Sequence, residues 1–286
     1  MHKVLMMCSE DKASVNIRNM LIETGAFEKV SLFRGRPVHL GAGLYLFEID
    51  GVHLYLDDID TEIGSFLDRE FQDDAGPTNG PPLELLVFLS KHRSDKGTDS
   101  LTVHPPGNFL SADYGGRERF LPPSAPHHMS AALRSLYNVK KSMGLKDRTS
   151  YEVTHHGPVV SSPCFFIEIG SGSSRWEIRE PGEAVARSIL SDEFTKPVTD
   201  LPVAIGIGGG HYAPRFTDMA LKKRFSFGHM ISDHVLSKGE DIAKLLRLAK
   251  GSTPRARYIA LHITGRNREL LEGLEEAASE LYLEIT

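Results

Sequence analysis

The chain has 286 residues, and its 33 lysine and arginine side chains against 38 aspartate and glutamate side chains give a formal net charge of −5. Hydrophobic residues make up 40% and charged residues 25% of the sequence, which is typical of a globular protein and excludes a disordered or fibrous one. The slightly acidic balance also excludes a general nucleic-acid coat protein, which needs a strong basic excess, but it leaves local recognition of a nucleic acid open. Thirteen histidines stand beside only two cysteines.

The N-terminus and the apolar runs predict a soluble, cytoplasmic protein without a membrane partner. The first apolar run is followed at once by Glu10 and Asp11, which is too early for the apolar region of a signal peptide. The longest apolar stretches, such as residues 85–89, are far shorter than the ~20 residues of a membrane span. Cys8 and Cys164 lie in apolar runs, where a free cysteine behaves as a small buried hydrophobe. We therefore expect a reducing compartment.

The first part of the chain predicts an α/β beginning with an antiparallel hairpin. An apolar strand at 3–8 is followed by a helix whose apolar residues recur at helical spacing until Gly25. Residues 45–49 and 52–56 flank Asp50-Gly51, the two-residue loop expected of a type I′ hairpin. We expect one domain over residues 1–286, with the polar segment 72–82 as a surface loop or a sub-domain boundary.

The remainder of the chain alternates strands and helices. Strands are predicted at 83–89, 101–103, 151–154, 165–169, 202–207 and 257–263, and helices at 129–143, 181–190, 242–248 and 270–281. This alternation predicts an α/β fold with a mixed sheet.

Five histidines occupy the same kind of position, where a predicted strand ends and a turn begins. They are His92, His104, His155, His156 and His211. Ligands in open α/β sheets collect beyond the carboxyl ends of strands, so we expect these side chains to converge. The adjacent His155 and His156 are expected on opposite sides of the chain if it stays extended.

The glycine-rich segment 206–215 is the most site-like part of the chain. Gly208, Gly209 and Gly210 permit a close backbone approach and leave N–H groups free for an anion or an oxyanion. His211 follows as a metal ligand or general base, and Arg215 is placed to hold a carboxylate or phosphate. The spacing is not G-x-G-x-x-G, so we expect no nicotinamide or flavin cofactor.

The supply of imidazole and carboxylate ligands suits zinc, which in hydrolytic sites keeps three protein ligands and one position for water. The sequence has no H-E-x-x-H, C-x-x-C or G-x-S-x-G motif. The zinc interpretation therefore depends on the number and position of the histidines, and not on motif spacing.

Four separated segments together resemble the archaeal and plant type of D-aminoacyl-tRNA deacylase, and the resemblance runs nearly end to end. They are residues 101–108 (LTVHPPGN), 154–158 (THHGP), 166–171 (FIEIGS) and 208–215 (GGGHYAPR). The resemblance implies a three-layer α/β/α fold with a mixed sheet, similar to the phosphorylase/hydrolase and peptidyl-tRNA hydrolase group. It also implies a zinc requirement and hydrolysis of the ester that joins a D-amino acid to the 3′ end of tRNA.

On this resemblance we expect zinc among His104, His155 and His211 to activate a water for attack on the ester carbonyl. Backbone N–H groups near Gly209 would stabilise the oxyanion. The remaining expected site residues orient a ligand, move a proton or bind the substrate. They are Glu152, His156 and Glu168 for the first two roles, and Asn108, Gly208, Gly209, Gly210, Tyr212 and Arg215 for the third.

The acceptor end of tRNA needs only a small basic surface. The candidates from the sequence are Lys222-Lys223-Arg224, Lys140-Lys141, and Arg34 with Arg36. We expect a monomer. Two other functions use the same features: a zinc amidohydrolase or peptidase that acts on small substrates, and a tRNA-binding module without catalysis.

Overall fold

The computed structural model describes residues 2–71, 80–93, 97–170, 172–262 and 268–286. Within these ranges the strands are β1 (Lys3–Cys8), β2 (Glu28–Phe33), β3 (Arg36–Gly41), β4 (Leu44–Ile49), β5 (Leu85–Lys91), β6 (Ser100–His104), β7 (Arg148–Tyr151), β8 (Cys164–Gly170), β9 (Val203–Gly208), β10 (Ser226–Ile231), β11 (Ala256–His262) and β12 (Glu284–Ile285). The helices are α1 (Lys12–Glu23), α2 (Ile59–Glu70), α3 (Pro126–Ser142), α4 (Ser173–Trp176), α5 (Arg179–Ile189), α6 (Asp192–Thr195), α7 (Pro214–Leu221), α8 (Asp233–Leu236), α9 (Ile242–Gly251) and α10 (Arg268–Glu280).

The larger of two sheets is mixed and has eight strands in the order β2-β3-β4-β1-β5-β8-β6-β7. Its middle strands β4, β1, β5 and β8 are parallel, whereas β6 runs antiparallel to β8. Side chains alternate along β1 between two cores, because successive residues of a strand point to opposite faces. Leu5 and Met7 pack on the side of α1, α3 and α5, and Val4 and Met6 on the side of α2. The predicted α/β/α layering with a mixed sheet is confirmed.

The second sheet has four parallel strands in the order β10-β9-β11-β12. Ile205 on one face packs with Leu245 of α9 and Leu274 of α10. On the other face, Ala204 and Phe227 join the core that contains α3 and α7. The two sheets are therefore linked through a common helical layer.

The three residues after β7 join the two sheets directly. The N–H of Glu152 donates to the carbonyl of Val103 at the end of β6, at 3.0 Å. The next two N–H groups, of Val153 and Thr154, donate to the carbonyls of His211 and Met230, at 3.0 and 3.1 Å. This segment places the histidines of the first sheet beside the glycine-rich loop of the second.

The predicted hairpin at Asp50-Gly51 is wrong. Strand β4 ends at Ile49, and residues His53–Tyr55 form a short 3₁₀ helix. Strand β4 already pairs with β3 on one edge and with β1 on the other, so no edge is left for a second hairpin arm. The hairpins lie earlier, at Arg34-Gly35 and Ala42-Gly43, where all four φ angles are positive, between 50° and 76°. Positive φ at both loop positions is the requirement of a type I′ turn.

Most other predicted elements are confirmed within a few residues, including β1, α1, β5, β6, α3, β8, α5, β9, α9, β11 and α10. The strand predicted at 151–154 lies earlier, at β7. Strands β2, β3 and β10 and helix α2 were not predicted. Residues 72–79 lie outside the described residues, so the single domain and the boundary near 72–82 stay predictions. Within the described ranges, every helix is too short or too polar to span a lipid bilayer.

Candidate active site

A pocket of about 770 Å³ lies where the two sheets meet, over β8 and beside the loop after β9. Six titratable residues that the sequence analysis selected line this pocket. They are His92, His155, His156, Glu168, His211 and Tyr212.

The five strand-end histidines converge, as the sequence predicted. Ring centroids lie 5.1 Å apart for His92 and His211, 4.7 Å for His155 and His211, and 4.2 Å for His104 and His155. The expected reason was only partly right, because β5 and β6 run in opposite directions on either side of β8. His92 and His104 therefore arrive from opposite ends and meet over the face of the sheet.

His155 and His156 lie on the same side of the chain, so the expected opposite orientation is wrong. Their ring centroids are 4.3 Å apart, and both rings contact that of His104. The reason is the backbone at His156, whose φ of 41° leaves the extended region. Both imidazoles consequently belong to the site.

Glu152 is the centre of the cluster and is fully buried. Its Oε2 lies 2.8 Å from Nε2 of His211, 3.3 Å from Nδ1 of His92 and 3.5 Å from Nε2 of His155. Burial by itself would raise the pKa of Glu152, but the hydrogen bond from His211 and the charges of the surrounding imidazoles lower this pKa to about 2. Burial by itself would lower the pKa of His211, but the hydrogen bond to Glu152 and the charge of Glu152 raise it.

Glu168, the second buried carboxylate, has the opposite electrostatics. Its Oε2 lies 3.6 Å from Nε2 of His104 and 3.7 Å from Nδ1 of His92. Burial first, and then the nearby negative charges of Glu152 and Asp11, raise the pKa of Glu168 well above its usual range. The site thus holds one strongly ionised carboxylate beside one that resists ionisation.

The described residues contain three groups of ligand atoms that lie within 4.8 Å of one another: His92, Glu152 and His211; His104, Glu152 and Glu168; and His104, His155 and His156. The trio expected from the sequence, His104, His155 and His211, takes its members from two of these groups. It stays a prediction. Several of these buried ligand atoms have no hydrogen-bond partner among the described residues: Nε2 of His92, Nε2 of His104, Oε1 of Glu152 and Oε2 of Glu168.

The glycine-rich loop forms one wall of the pocket. Gly208 and Gly209 have φ angles of 94° and 89°, which only glycine adopts readily, and Gly210 and His211 line the pocket. The guanidinium carbon of Arg148 lies over the Tyr212 ring, 4.5 Å from the centroid of that ring. The loop therefore has the backbone freedom that the sequence indicated.

Four of the six expected substrate-binding residues are not part of the pocket lining: Gly208, Gly209, Arg215 and Asn108. Arg215 is exposed on the first turn of α7. Asn108 is buried, and its Nδ2 donates to the carbonyls of Gly115 and Arg117 at 2.9 and 3.4 Å. Asn108 therefore holds the loop that carries Tyr114, and its side chain reaches the site only through that loop.

Several lining residues were missed. Leu54, Lys91, Arg93, Tyr114 and Arg148 line the pocket, and only the two that flank His92 had a signal in the sequence. His262 also lines the pocket. Its Nδ1 has no hydrogen-bond partner in the described part of the chain.

A pocket that combines clustered imidazoles, one carboxyl group with a lowered pKa beside one with a raised pKa, and a glycine-rich backbone loop is the kind of site that hydrolytic enzymes use. Such a site provides ligands for a metal, groups that move a proton, and backbone donors for a developing oxyanion. The fold and the site thus define the class of protein as a hydrolase of the α/β type.

Comparison with known proteins identifies the family. The profile of the D-aminoacyl-tRNA deacylase family matches residues 79–286. The D-aminoacyl-tRNA deacylase of Pyrococcus horikoshii is 34% identical over 99% of this chain and 98% of its own length. That of Archaeoglobus fulgidus is 32% identical over 98% and 95%. The chain therefore belongs to the D-aminoacyl-tRNA deacylase family, and it is a hydrolase that acts on an ester bond.

The fold is shared with a solved crystal structure of a conserved protein of unknown function, with a TM-score of 0.84 and 30% identity over 99% of this chain and 94% of that one. Weaker overlaps include nucleosidases and a purine nucleoside phosphorylase. One is the methylthioadenosine nucleosidase of Campylobacter jejuni, at a TM-score of 0.40 and 12% identity over 66% of this chain and 97% of that one.

Proposed function

We propose that this chain hydrolyses the ester between a D-amino acid and the 3′ end of tRNA, with a zinc ion held by His92, Glu152 and His211. Family membership supports the reaction and the substrate. The observation that carries the metal is the set of buried ligand atoms around Glu152 that have no hydrogen-bond partner among the described residues. Buried polar atoms without partners are costly, and a bound cation would satisfy them.

The group His92, Glu152 and His211 is favoured because it is the one with an exposed member. His211 has a side-chain exposure of 43%, whereas all three members of the His104, Glu152 and Glu168 group are buried. Two histidines and one glutamate are a ligand set of catalytic zinc. A zinc ion bound here would supply a Lewis acid that lowers the pKa of a water and polarises the ester carbonyl.

His155 is placed to accept the proton of the attacking water. Its Nδ1 lies 2.8 Å from the carbonyl of Val153, and a carbonyl only accepts, so Nδ1 is the protonated nitrogen. Burial, and then the charge of His156, lower the pKa of His155 well below its usual range, which favours the ring with an unprotonated Nε2; this atom lies 3.5 Å from Oε2 of Glu152. The glycine-rich loop contributes backbone N–H groups near Gly209 and Gly210 toward the oxyanion.

The decisive experiment measures metal content together with deacylation. Paired D- and L-aminoacyl-tRNA are assayed with and without a chelator, and D-aminoacyl amides are assayed beside them. We expect turnover of the D-ester alone and loss of that turnover with the chelator. Turnover of the amides favours the amidohydrolase alternative, and binding of tRNA without turnover favours the binding module.

Substitutions separate the two ligand sets. We expect Glu152→Gln and His92→Ala to abolish stoichiometric zinc, and His104→Ala to retain it. Retention of zinc in His92→Ala with its loss in His104→Ala would instead support the trio expected from the sequence. Thermal unfolding with and without added zinc checks that each variant is folded.

A tRNA substrate supports a cytoplasmic location. The monomeric state stays a prediction, which light scattering tests.

A further inference from the structure

We propose that the two sides of the pocket mouth divide the recognition of the tRNA 3′ end between them. Lys91, Arg93 and Arg148 hold the phosphates of the single-stranded end, and Tyr114 on the opposite side stacks on the terminal base. This inference rests on the proposed function and names the residues that bind its substrate. It replaces the basic segments that were candidates from the sequence.

The three cations lie at the same end of neighbouring strands in the large sheet. Strand pairing sets Arg148 opposite Ser100, and Ser100 opposite Gly170 at the end of β8. Lys91 pairs with the residue immediately before Gly170, and Arg93 follows two residues later. Because successive strand residues point to opposite faces, the Lys91 and Arg148 side chains start from opposite faces at this end of the strands, and all three residues line the pocket there.

Their charges are available to a ligand. Within the described ranges, none of the three has a carboxylate within 4.0 Å. Two of them lie on aromatic rings instead: the Lys91 ammonium is 5.4 Å from the Trp176 ring, and the Arg148 guanidinium is 4.5 Å from the Tyr212 ring. An aromatic face orients a cation without neutralising its charge.

The basic residues expected from the sequence are placed differently. Lys222 pairs with Asp218 at 2.7 Å, and Arg34 pairs with Glu62. The Lys140 ammonium donates to the carbonyl of Asp147 at 2.9 Å. None of these basic residues is part of the described pocket lining. They are consequently poor candidates for binding near the ester.

Tyr114 stands on the other side, next to the His155-His156 turn. Its backbone carbonyl accepts the N–H of Gly157 at 3.4 Å, while its side chain is 69% exposed. The ring of His156 contacts that of Phe166, which lies four residues before Gly170 on β8. Four strand residues span about 13 Å, so the His156 contact on β8 and the strand end beside the cations are separated by that length.

The backbone of Tyr114 is held by its neighbours, while the residue is exposed to solvent. Asn108 bonds the carbonyl of Gly115, and the Gly115 Cα sits so close to the carbonyl of Leu54 that a Cβ there would lie 1.9 Å from the oxygen. An exposed tyrosine on a fixed loop is the arrangement that stacks on an unpaired base. With the clustered histidines between the two sides, a single-stranded end that alternates bases and phosphates fits this mouth.

The test compares D-aminoacyl-tRNA with D-aminoacyl-adenosine, which nuclease digestion releases from the charged tRNA and which carries the base but no phosphate. In Arg93→Gln/Arg148→Gln, we expect the preference in kcat/KM for tRNA over the adenosine ester to fall at least tenfold. The slope of log binding constant against log salt should also become less steep by about 0.7 for each phosphate that the variant no longer binds. Lys222→Gln is the matched control, and it should leave both quantities unchanged.

For the aromatic side, Tyr114→Ala should lower kcat/KM about fivefold or more for both substrates, chiefly through KM, because the base is common to both. Tyr114→Phe keeps the ring and should retain the wild-type KM. An unchanged substrate preference and salt slope in the arginine variant would overturn the phosphate side, and an unchanged KM in Tyr114→Ala would overturn the base side.

Failure of the proposed function looks different. In that case the wild-type protein hydrolyses neither ester, whereas failure of this inference leaves hydrolysis intact and the variants without effect. Binding of a fluorescent single-stranded CCA-ended oligonucleotide to the wild type and the same variants tests the mouth without any turnover.

Discussion

Two glycines meet back to back where the His155-His156 turn touches the loop that carries Tyr114. A Cβ on Gly157 would lie 3.0 Å from the Cα of Gly116, which itself has a φ of 76°. A side chain at position 157 would therefore force one of the two backbones to shift. The close approach therefore couples the position of the aromatic side of the pocket to the histidine turn.

We expect Gly157→Ala to push the Tyr114 loop away and to raise KM for D-aminoacyl-tRNA several-fold, with a smaller change in the midpoint of thermal unfolding. Gly251→Ala is the matched control, since a Cβ on Gly251 meets nothing within 4 Å and its φ is not positive. A wild-type KM in Gly157→Ala would show that the loop does not depend on this close approach.

At the scale of elements, Asp11 links a helix terminus to the floor of the site. Its Oδ1 accepts the N–H of Ser14 at 3.0 Å and so caps α1, as an N-cap aspartate does. Its Oδ2 accepts the N–H of Lys91 and the hydroxyl of Ser90 at the end of β5, at 3.1 and 3.3 Å. One buried carboxylate thus fixes the start of α1 against the strand end that leads into His92.

Replacing Asp11 with Ala should lower the free energy of unfolding by about 2 kcal/mol, because it removes the cap of α1 and also removes an acceptor from the Lys91 N–H and the Ser90 hydroxyl. Ser232 gives a simpler comparison, since its side chain accepts the N–H of Val235 at the start of α8. Ser232→Ala should cost about 1 kcal/mol. Equal losses in urea unfolding would contradict the double role of Asp11.

At the scale of the whole molecule, Thr154 makes hydrogen bonds that join the two sheets. Its Oγ1 accepts the N–H of Met230 at 2.9 Å and donates to Nδ1 of His229 at 3.1 Å. The opposite nitrogen of His229 donates to the carbonyl of Pro122 at 2.9 Å, which fixes this tautomer. The site lies at this joint, so its geometry depends on both sheets together.

Thr154→Val keeps the shape of the side chain and removes the hydroxyl. We expect it to lower the free energy of unfolding by about 1 to 3 kcal/mol and to reduce kcat, because a buried N–H and a buried imidazole lose their partner. The control is Thr149→Val: the Thr149 hydroxyl oxygen is buried and has no partner among the described residues. That change should be neutral or stabilising, and a loss as large as that of Thr154→Val would contradict the assignment.

Local patterns in the sequence predicted the α/β class and most of the elements because each depends on short-range periodicity. The Asp50-Gly51 hairpin shows where this fails. The turn signal is local, but pairing depends on which edges are free, and both edges of β4 are occupied. Helix α2 and strands β2, β3 and β10 were missed for a related reason, since their assignment depends on packing against elements that are distant in the chain.

By itself, the sequence determined the family, the α/β class and the histidines that gather at the site, because these depend on residue identity and on order along the chain. Only the tertiary structure decided that Glu152 is the centre of the cluster, that His155 and His156 share a side, and that Lys91, Arg93, Arg148 and Tyr114 surround the mouth. Those facts follow from one backbone angle at His156, from the antiparallel course of β6, and from the joint between two sheets. Each of these brings together residues that no spacing along the chain connects.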